Sequence, residues 1–431
     1  MSYTYGGTGL DKINAGDTAW LLTSAALVML MTPALGFFYG GLVRRKNVLS
    51  TIMHSFFILC LISVQWVLWG YSLAFGPDFK GWGIIGDLNW VGLNNVGLTP
   101  NPDYAATVPA QAYMVFQMMF AVITPALITG AFAERKRFKA FVIFSLLWAT
   151  LVYDPIAHWV WGHGGWIGSQ LGAVDFAGGT VVHISSGVSA LVAAWVLGPR
   201  LRTMGGTQED GESSEPHDAT MTVLGASLLW FGWFGFNAGS ALTSGALATS
   251  AFVVTNTATA MAALTWMTVS WAHKGHPSVL GAAAGAVAGL VAITPASGYV
   301  NVSGALIIGI GAGVFCYAAV QLRSRWKRVD DALDVWAVHG IGGTWGAIAT
   351  GIFATVAVHS IDTGGVNGLL YGNPDQVVKQ LIAVAASWLY SGVMTFVLLK
   401  VINVFVGLRV EEKEEVLGLD VTQHGEAAYQ L

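Results

Sequence analysis

Charge is what this chain has least of: Asp, Glu, Lys and Arg make up 10% of its 431 residues, against roughly 25% in an ordinary soluble domain. Cysteine is nearly missing as well, with Cys60 and Cys316 far apart and each inside an apolar block. They read as small core residues, which argues against a disulfide framework. No HxxxH or CxxC spacing occurs, so no metal and no cofactor is expected. A net charge of −4 offers no basic footprint for nucleic acid. The first 17 residues contain no apolar stretch, so no cleavable leader is expected. Nothing in the composition resembles a soluble domain or a low-complexity segment.

Apolar residues are what the chain has in excess, at 54%, and they arrive in long blocks such as 20–42, 55–75 and 381–406. About 20 mostly apolar residues cross the ~30 Å of a bilayer core. The reading is an all-α integral membrane protein with eleven spans, near 18–42, 49–75, 109–132, 140–155, 178–198, 219–239, 245–272, 278–295, 302–322, 334–357 and 378–407. Basic residues test that count. Seventeen of the 20 Lys and Arg fall on one set of alternate loops and the tail, leaving Lys12, Lys80 and Lys379 on the other side. Basic loops stay cytoplasmic, which predicts the N-terminus outside and the C-terminus inside. The acidic, Gly/Ser-rich loop 204–218 is expected to be mobile. Residues 1–408 form the membrane domain and 409–431 a cytoplasmic tail.

An ionisable side chain within a span is costly and marks function by default. His183 lies about five residues into the fifth span and His339 about five into the tenth, and these two run in opposite directions. At 1.5 Å per residue each sits on the order of 10 Å from its own face, so the two can meet near the middle. Spacing alone leaves two readings open, a shared pair or two separate core histidines. As neutral imidazoles, one can donate to the other. An Asp precedes each, Asp175 before His183 and Asp334 before His339, a weak sign of two inverted five-helix repeats with a midplane site. Asp175 in Asp-Phe-Ala-Gly-Gly-Thr is placed to cap a helix start and to add negative potential at the outer mouth. His158 and His163 sit five apart in the outer loop without the carboxylates a metal site would need. Most of the 18 Trp and 21 Phe are core or interfacial residues. A cation held without a counter-charge wants an aromatic face, which makes Trp161, in the outer loop, a candidate.

Several strings carry a resemblance. They are DFAGGTVVHI from Asp175, GWFGFNAGS from Gly232, PALGFFYGGLVRRKN from Pro33, FQMMF ending at Phe120, AER from Ala133, ITPA from Ile293, VHG from Val338 and GLDVTQHG from Gly418. Together they closely resemble the ammonium transporter (Amt/Mep/Rh) family on its bacterial and archaeal side, over about residues 17–429. The resemblance implies that Trp161, Phe120 and Ser240 recruit ammonium at an outer site, with Thr294 near that vestibule. It implies a phenyl gate of Phe120 and Phe236, a twin-histidine pore of His183 and His339, and a buried Asp175 that holds the site. It further implies a homotrimer with one pore per subunit, in a cell membrane. The tail, with Arg409, Gly418 and Asp420, would dock a PII-type signal protein (GlnK). His276 departs from the family pattern, where Lys is frequent, at a turn remote from the pore.

Residue chemistry and resemblance converge on a transporter rather than an enzyme, selecting by deprotonation. Potassium matches ammonium in size and charge but cannot lose a proton. A dry phenyl-gated lumen makes a bare charge expensive and lets ammonia pass.

Overall fold

The computed structural model describes residues 9–201 and 216–429; Arg202 and most of the acidic 204–218 loop lie outside them. Eleven helical segments follow in order. They are α1 Ala15–Leu42, α2 Arg45–Phe75, α3 Ala110–Phe132, α4 Phe138–Leu171, α5 Gly179–Leu197, α6 Ala219–Gly239, α7 Ala246–Lys274, α8 Val279–Ile293, α9 Val302–Arg323, α10 (Trp336–Ile341 running into Gly342–Phe353) and α11 Asp375–Phe405. Two short tail helices close the chain, α12 Glu412–Leu417 and α13 Leu419–His424. Among the described residues the only strand-like pairs are isolated bridges, one joining Lys136 to Arg409.

Nine of these helices are long and apolar enough to cross a membrane. The expected spans at 278–295 and 334–357 are the shorter ones. The first ends at Ile293 in α8, where Pro295 two residues on has no N–H to continue the ladder. The second ends at Phe353. The expected span 140–155 is longer than the sequence suggests. Its stop at Pro155 is bypassed, because the π-helical turn Ala149–Tyr153 puts the proline in the first turn of a new α-helical stretch, Asp154–Trp161. Trp161 therefore ends this α-helical stretch of α4, ahead of the π-helical turn Trp166–Leu171, rather than lying in a loop. His158 is likewise helical and buried, with Nδ1 2.9 Å from the Ala74 carbonyl and Nε2 3.0 Å from Asp78. Of the two cysteines, Cys316 is buried but Cys60 is exposed on α2.

Helix starts follow local chemistry. Asn14, Asp218, Ser278 and Asn301 each accept a backbone N–H in the first turn of α1, α6, α8 and α9. Packing rests on small residues, as expected where lipid gives helices no hydrophobic reason to associate. Along α6, a Cβ on Gly225 would stand 2.3 Å from Phe38 N, and one on Gly239 2.5 Å from Ser24 Cβ, so α1 and α6 touch backbone to backbone. The interior belongs to α3, whose most apolar stretch is 94% buried, against 33% for α11. The corresponding stretch of α5 is 78% buried.

Loop contacts define two faces. On one, Glu134 gathers Arg44, Asn47 and Arg200, and Arg200 also pairs with Asp330 at 2.7 Å. We call this the basic face. On the far face Asp17 accepts from Thr107 and Ser244, and Phe176 N donates to the Pro295 carbonyl.

Candidate functional site

A column of rings runs from the far face inward. Trp161 is half-buried, and its indole N–H donates to the Asp175 carbonyl at 2.8 Å. Its ring meets Phe120 edge-on, 5.9 Å between centroids and 85° between planes. Phe120, 1% exposed on α3, lies 4.4 Å from Phe236 of α6. Phe236 stacks on His183 at 6.0 Å and 18°. His183 then faces His339, with the two Nδ1 atoms 3.3 Å apart. Beyond His339 a cavity of about 400 Å³ opens on the basic face, lined by Tyr39, Lys274, Tyr317 and Asp334 among others.

Both histidines sit in six-residue π-helical turns, Gly179–Ile184 at the start of α5 and Trp336–Ile341 at the start of α10. The wider turn is a frequent functional-site device. Asp175 holds the first of them. Its Oδ1 accepts from Gly178 N at 2.8 Å and Gly179 N at 2.7 Å. Its Oδ2 accepts from Thr180 N at 2.7 Å, Val181 N at 3.3 Å and the Thr180 hydroxyl. The carboxylate that plays this part at the second turn is Asp331, not Asp334. Asp331 Oδ2 accepts from Trp336 N at 2.7 Å, whereas Asp334 is turned away to Arg323, 2.5 Å from its Nη2. Asp331 stands eight residues before His339, as Asp175 stands eight before His183. That equal spacing was in the sequence to be found. Asp331 lies outside the spans, and burial together with the nearby Asp334 charge pushes its carboxyl up to about 6.

The pair is brought together by glycine. A Cβ on Gly187 of α5 would stand 2.1 Å from Gly340 N and 2.5 Å from Gly340 Cα, so the turns cross with backbone touching backbone. Overpacking of this kind costs about 1–3 kcal/mol. Gly187→Ala is expected to lower the thermal midpoint of the purified protein and to part the histidines. An unchanged midpoint would show that the crossing has slack.

Trp233, absent from the expected site residues, stacks on His183 at 5.4 Å and 25°. It stands three residues before Phe236, hence on the same helix face, and that spacing could have selected it. Its indole N–H donates to Thr294 Oγ1 at 2.9 Å, while the Thr294 hydroxyl donates to the Leu290 carbonyl at 2.7 Å. Thr294 is fully buried behind Trp233, one residue before Pro295, whose carbonyl accepts from Phe176 N on the far face. Ser240, half-buried at the end of α6, donates to the Phe236 carbonyl at 2.8 Å and keeps its oxygen free to accept. Chemically, the column offers aromatic faces and a hydroxyl acceptor at one end. At the other it offers two imidazoles, of which His183 Nε2 has no partner among the described residues. A neutral pair sharing one Nδ1 proton presents one Nε nitrogen as donor and the other as acceptor.

The three tail residues lie on the basic face. Arg409 pairs with Glu415 at 2.8 Å and reaches the Leu197 carbonyl at the end of α5. Asp420 accepts from Leu49 N at 3.0 Å and Ser50 N at 2.7 Å, near the start of α2. Gly418 has φ 102°, and a Cβ there would stand 2.6 Å from Lys46 Cβ. Glu134, at the centre of that face, would be raised by burial alone, but Arg200 and Arg44 hold it down to about 2.

Comparison with known proteins shows the family. The family model described as Ammonium Transporter Family matches residues 19–429. An ammonium transporter of Bacillus subtilis is 54% identical over 96% of this chain and 98% of its own length. Ammonium transporter Amt1 of Archaeoglobus fulgidus is 50% identical over 96% and 99%. The crystal structure of Candida albicans Mep2 superposes with a TM-score of 0.87 at 38% identity, covering 100% of this chain and 96% of that one. The chain belongs to the ammonium transporter family.

Proposed function

We propose that the chain carries ammonium across a cell membrane by capturing the cation at Trp161, Phe120 and Ser240 and passing ammonia along the imidazole pair. The observation that carries this reading is the continuous ring column ending in two imidazoles whose Nδ1 atoms are 3.3 Å apart. Ammonium meets aromatic faces at the mouth and a hydroxyl oxygen that accepts. It gives up its proton at the Phe120–Phe236 gate to the unpartnered Nε2 of His183 beneath it, because a bare charge gains nothing from an apolar constriction. Ammonia then exchanges hydrogen bonds with the Nε nitrogens of His183 and His339. Asp175 keeps the first turn in place and adds negative potential at the mouth. Its carboxylate already accepts five donors, more than its roughly four lone-pair sites.

The proton travels along the pair rather than back outward, since a shared Nδ1–H can shuttle between rings. Transport is then electrogenic. Ammonium added to one side of a planar bilayer holding the protein is expected to give a current, and isotopic flux with no current would overturn this. In this reading all eleven helices span the bilayer as two inverted repeats and a long final helix. The basic face is cytoplasmic and the N-terminus lies outside. Residues 1–408 form the pore domain and 409–431 a regulatory tail. Three copies assemble, and a PII-type protein (GlnK) docks on the basic face. The exposed Val416, Leu417 and Val421 of the tail support such a contact.

A further inference from the structure

On the basic face, away from the ring column, the α3–α4 connection buries a lysine that no acid neutralises. Lys136 is 1% exposed, and its Nζ has no hydrogen-bond partner among the described residues. It rests between two rings, 3.8 Å from the Phe132 centroid and 3.9 Å from that of Phe144. Beside it lies His54 of α2, 2% exposed, with both ring nitrogens unpartnered. Phe141 at 4.3 Å, Phe132 at 6.0 Å and Phe138 at 6.2 Å wall that imidazole in. The lid of this aromatic box is the tail. His424, the last residue of α13, packs edge-on against Phe138 at 5.0 Å, and its Nε2 is also buried without a partner. Gln423 fixes the lid, accepting from Phe138 N at 3.1 Å and donating to Glu414 at 2.7 Å.

Three basic side chains thus share one water-poor box, and four of their nitrogens have unused hydrogen-bonding capacity. Membrane packing alone gives no reason to gather them. An apolar filling would avoid the cost of burying unsatisfied nitrogens. What such a cluster does well is respond to one more proton, because a second positive charge beside Lys136 is poorly hydrated and, among the described residues, has no carboxylate in ion-pair contact.

We propose that His54, Lys136 and His424 form a proton-binding site that sets how firmly the tail is held: a proton added to either imidazole expels α13 from α2 and α4. The sign follows from His424, which lies outside the spans. Burial holds it below its ordinary value, partly offset by Asp420 and Glu426, while undocked in water it titrates near about 6.5. The docked state therefore binds fewer protons. Docking is fully present above that ordinary value and weakens as pH falls through it. Lys136 is held well below the lysine range by burial and then by Arg135. Asp420 works the other way: its carboxyl is raised by burial in the docked state, so its titration favours docking on acidification. The imidazoles must outweigh it near neutral pH, where a carboxyl titrating from about 3.9 undocked is scarcely engaged.

The test uses the full chain in lipid nanodiscs and hydrogen exchange of the amides at 419–426, corrected for intrinsic chemical exchange at each pH. Amides of α5 serve as the folding control. One released proton gives up to about tenfold loss of protection per pH unit, expected here between about pH 6.5 and 5.5 with α5 unchanged. His54→Phe with His424→Gln is expected to flatten that dependence. Lys136→Met, which keeps the apolar stem and removes the charge, lets the docked imidazoles rise toward their free value and is expected to shrink the total loss of protection while its onset stays near about pH 6.5. Protection independent of pH in the native chain would overturn the proposal, as would full dependence in the double variant. The readout is tail protection and not flux, so its outcome is separable from that of the transport reading.

Discussion

In Asp175→Asn, ammonium uptake is expected to fall by roughly tenfold or more, although the substitution keeps size and shape. The carboxylate oxygens take five donors from the segment that starts α5. An amide keeps one oxygen as acceptor and turns an NH2 group toward the rest. If the oxygen stays with Gly178 and Gly179, the amides of Thr180 and Val181 face another donor. Each buried donor left unpaired costs about 1–3 kcal/mol. Two such donors, about 2–6 kcal/mol together, exceed the about 1.4 kcal/mol that corresponds to tenfold in a rate. The turn can escape only by rewinding, and His183 sits inside it. Asp175→Glu places the carboxylate one methylene too far forward and is expected to be impaired as well. Methylammonium uptake normalised to protein in the membrane measures this. Full uptake in Asp175→Asn would mean that the turn is held by its packing and not by the carboxylate.

The membrane architecture was readable because lipid leaves a chain few choices. With no water to satisfy backbone groups, spanning segments must be apolar helices, and the blocks from 20–42 to 381–406 leave no other reading. Helix ends were less readable. Pro155 looks like a stop, yet the π-turn before it moves the proline into a helix start and carries the helix on to Trp161. No residue type spells a π-turn, since it depends on how neighbouring helices press on the backbone. The same holds for the turns under His183 and His339. Their depth could be estimated from spacing. Their contact depends on Gly187 lying against Gly340, which only the folded chain displays. Asp331 was missed for a different reason. Asp334 is nearer to His339 in sequence, but a positive φ of 57° and the pull of Arg323 turn it aside. Thr294 was placed near the vestibule by resemblance alone, and its bond to the Trp233 indole is spelled by no motif string.

The second large effect concerns the histidines themselves. His183 is stacked between Trp233 and Phe236 on one side and faces His339 on the other, so removing its ring opens a gap in the column. His183→Ala leaves His339 Nδ1 without its partner, a buried polar atom that draws water in. A wetter lumen lowers the cost of an intact cation. The expected result is less ammonium flux together with a new tolerance of potassium, which in the proposed mechanism the native pore excludes by offering no hydration. His339→Ala, at the wall of the 400 Å³ cavity, is expected to act in the same direction. Removing both rings is expected to cost selectivity without summing the two losses, because the pair acts as one unit.

Ammonium-driven current through His183→Ala and His339→Ala in bilayers, measured with and without excess potassium, tests the central claim most directly. If the imidazole pair selects by passing ammonia and its proton apart, potassium suppresses the ammonium current, or carries current itself, in both variants and not in the native protein. Ammonium specificity unchanged in both variants would contradict that claim.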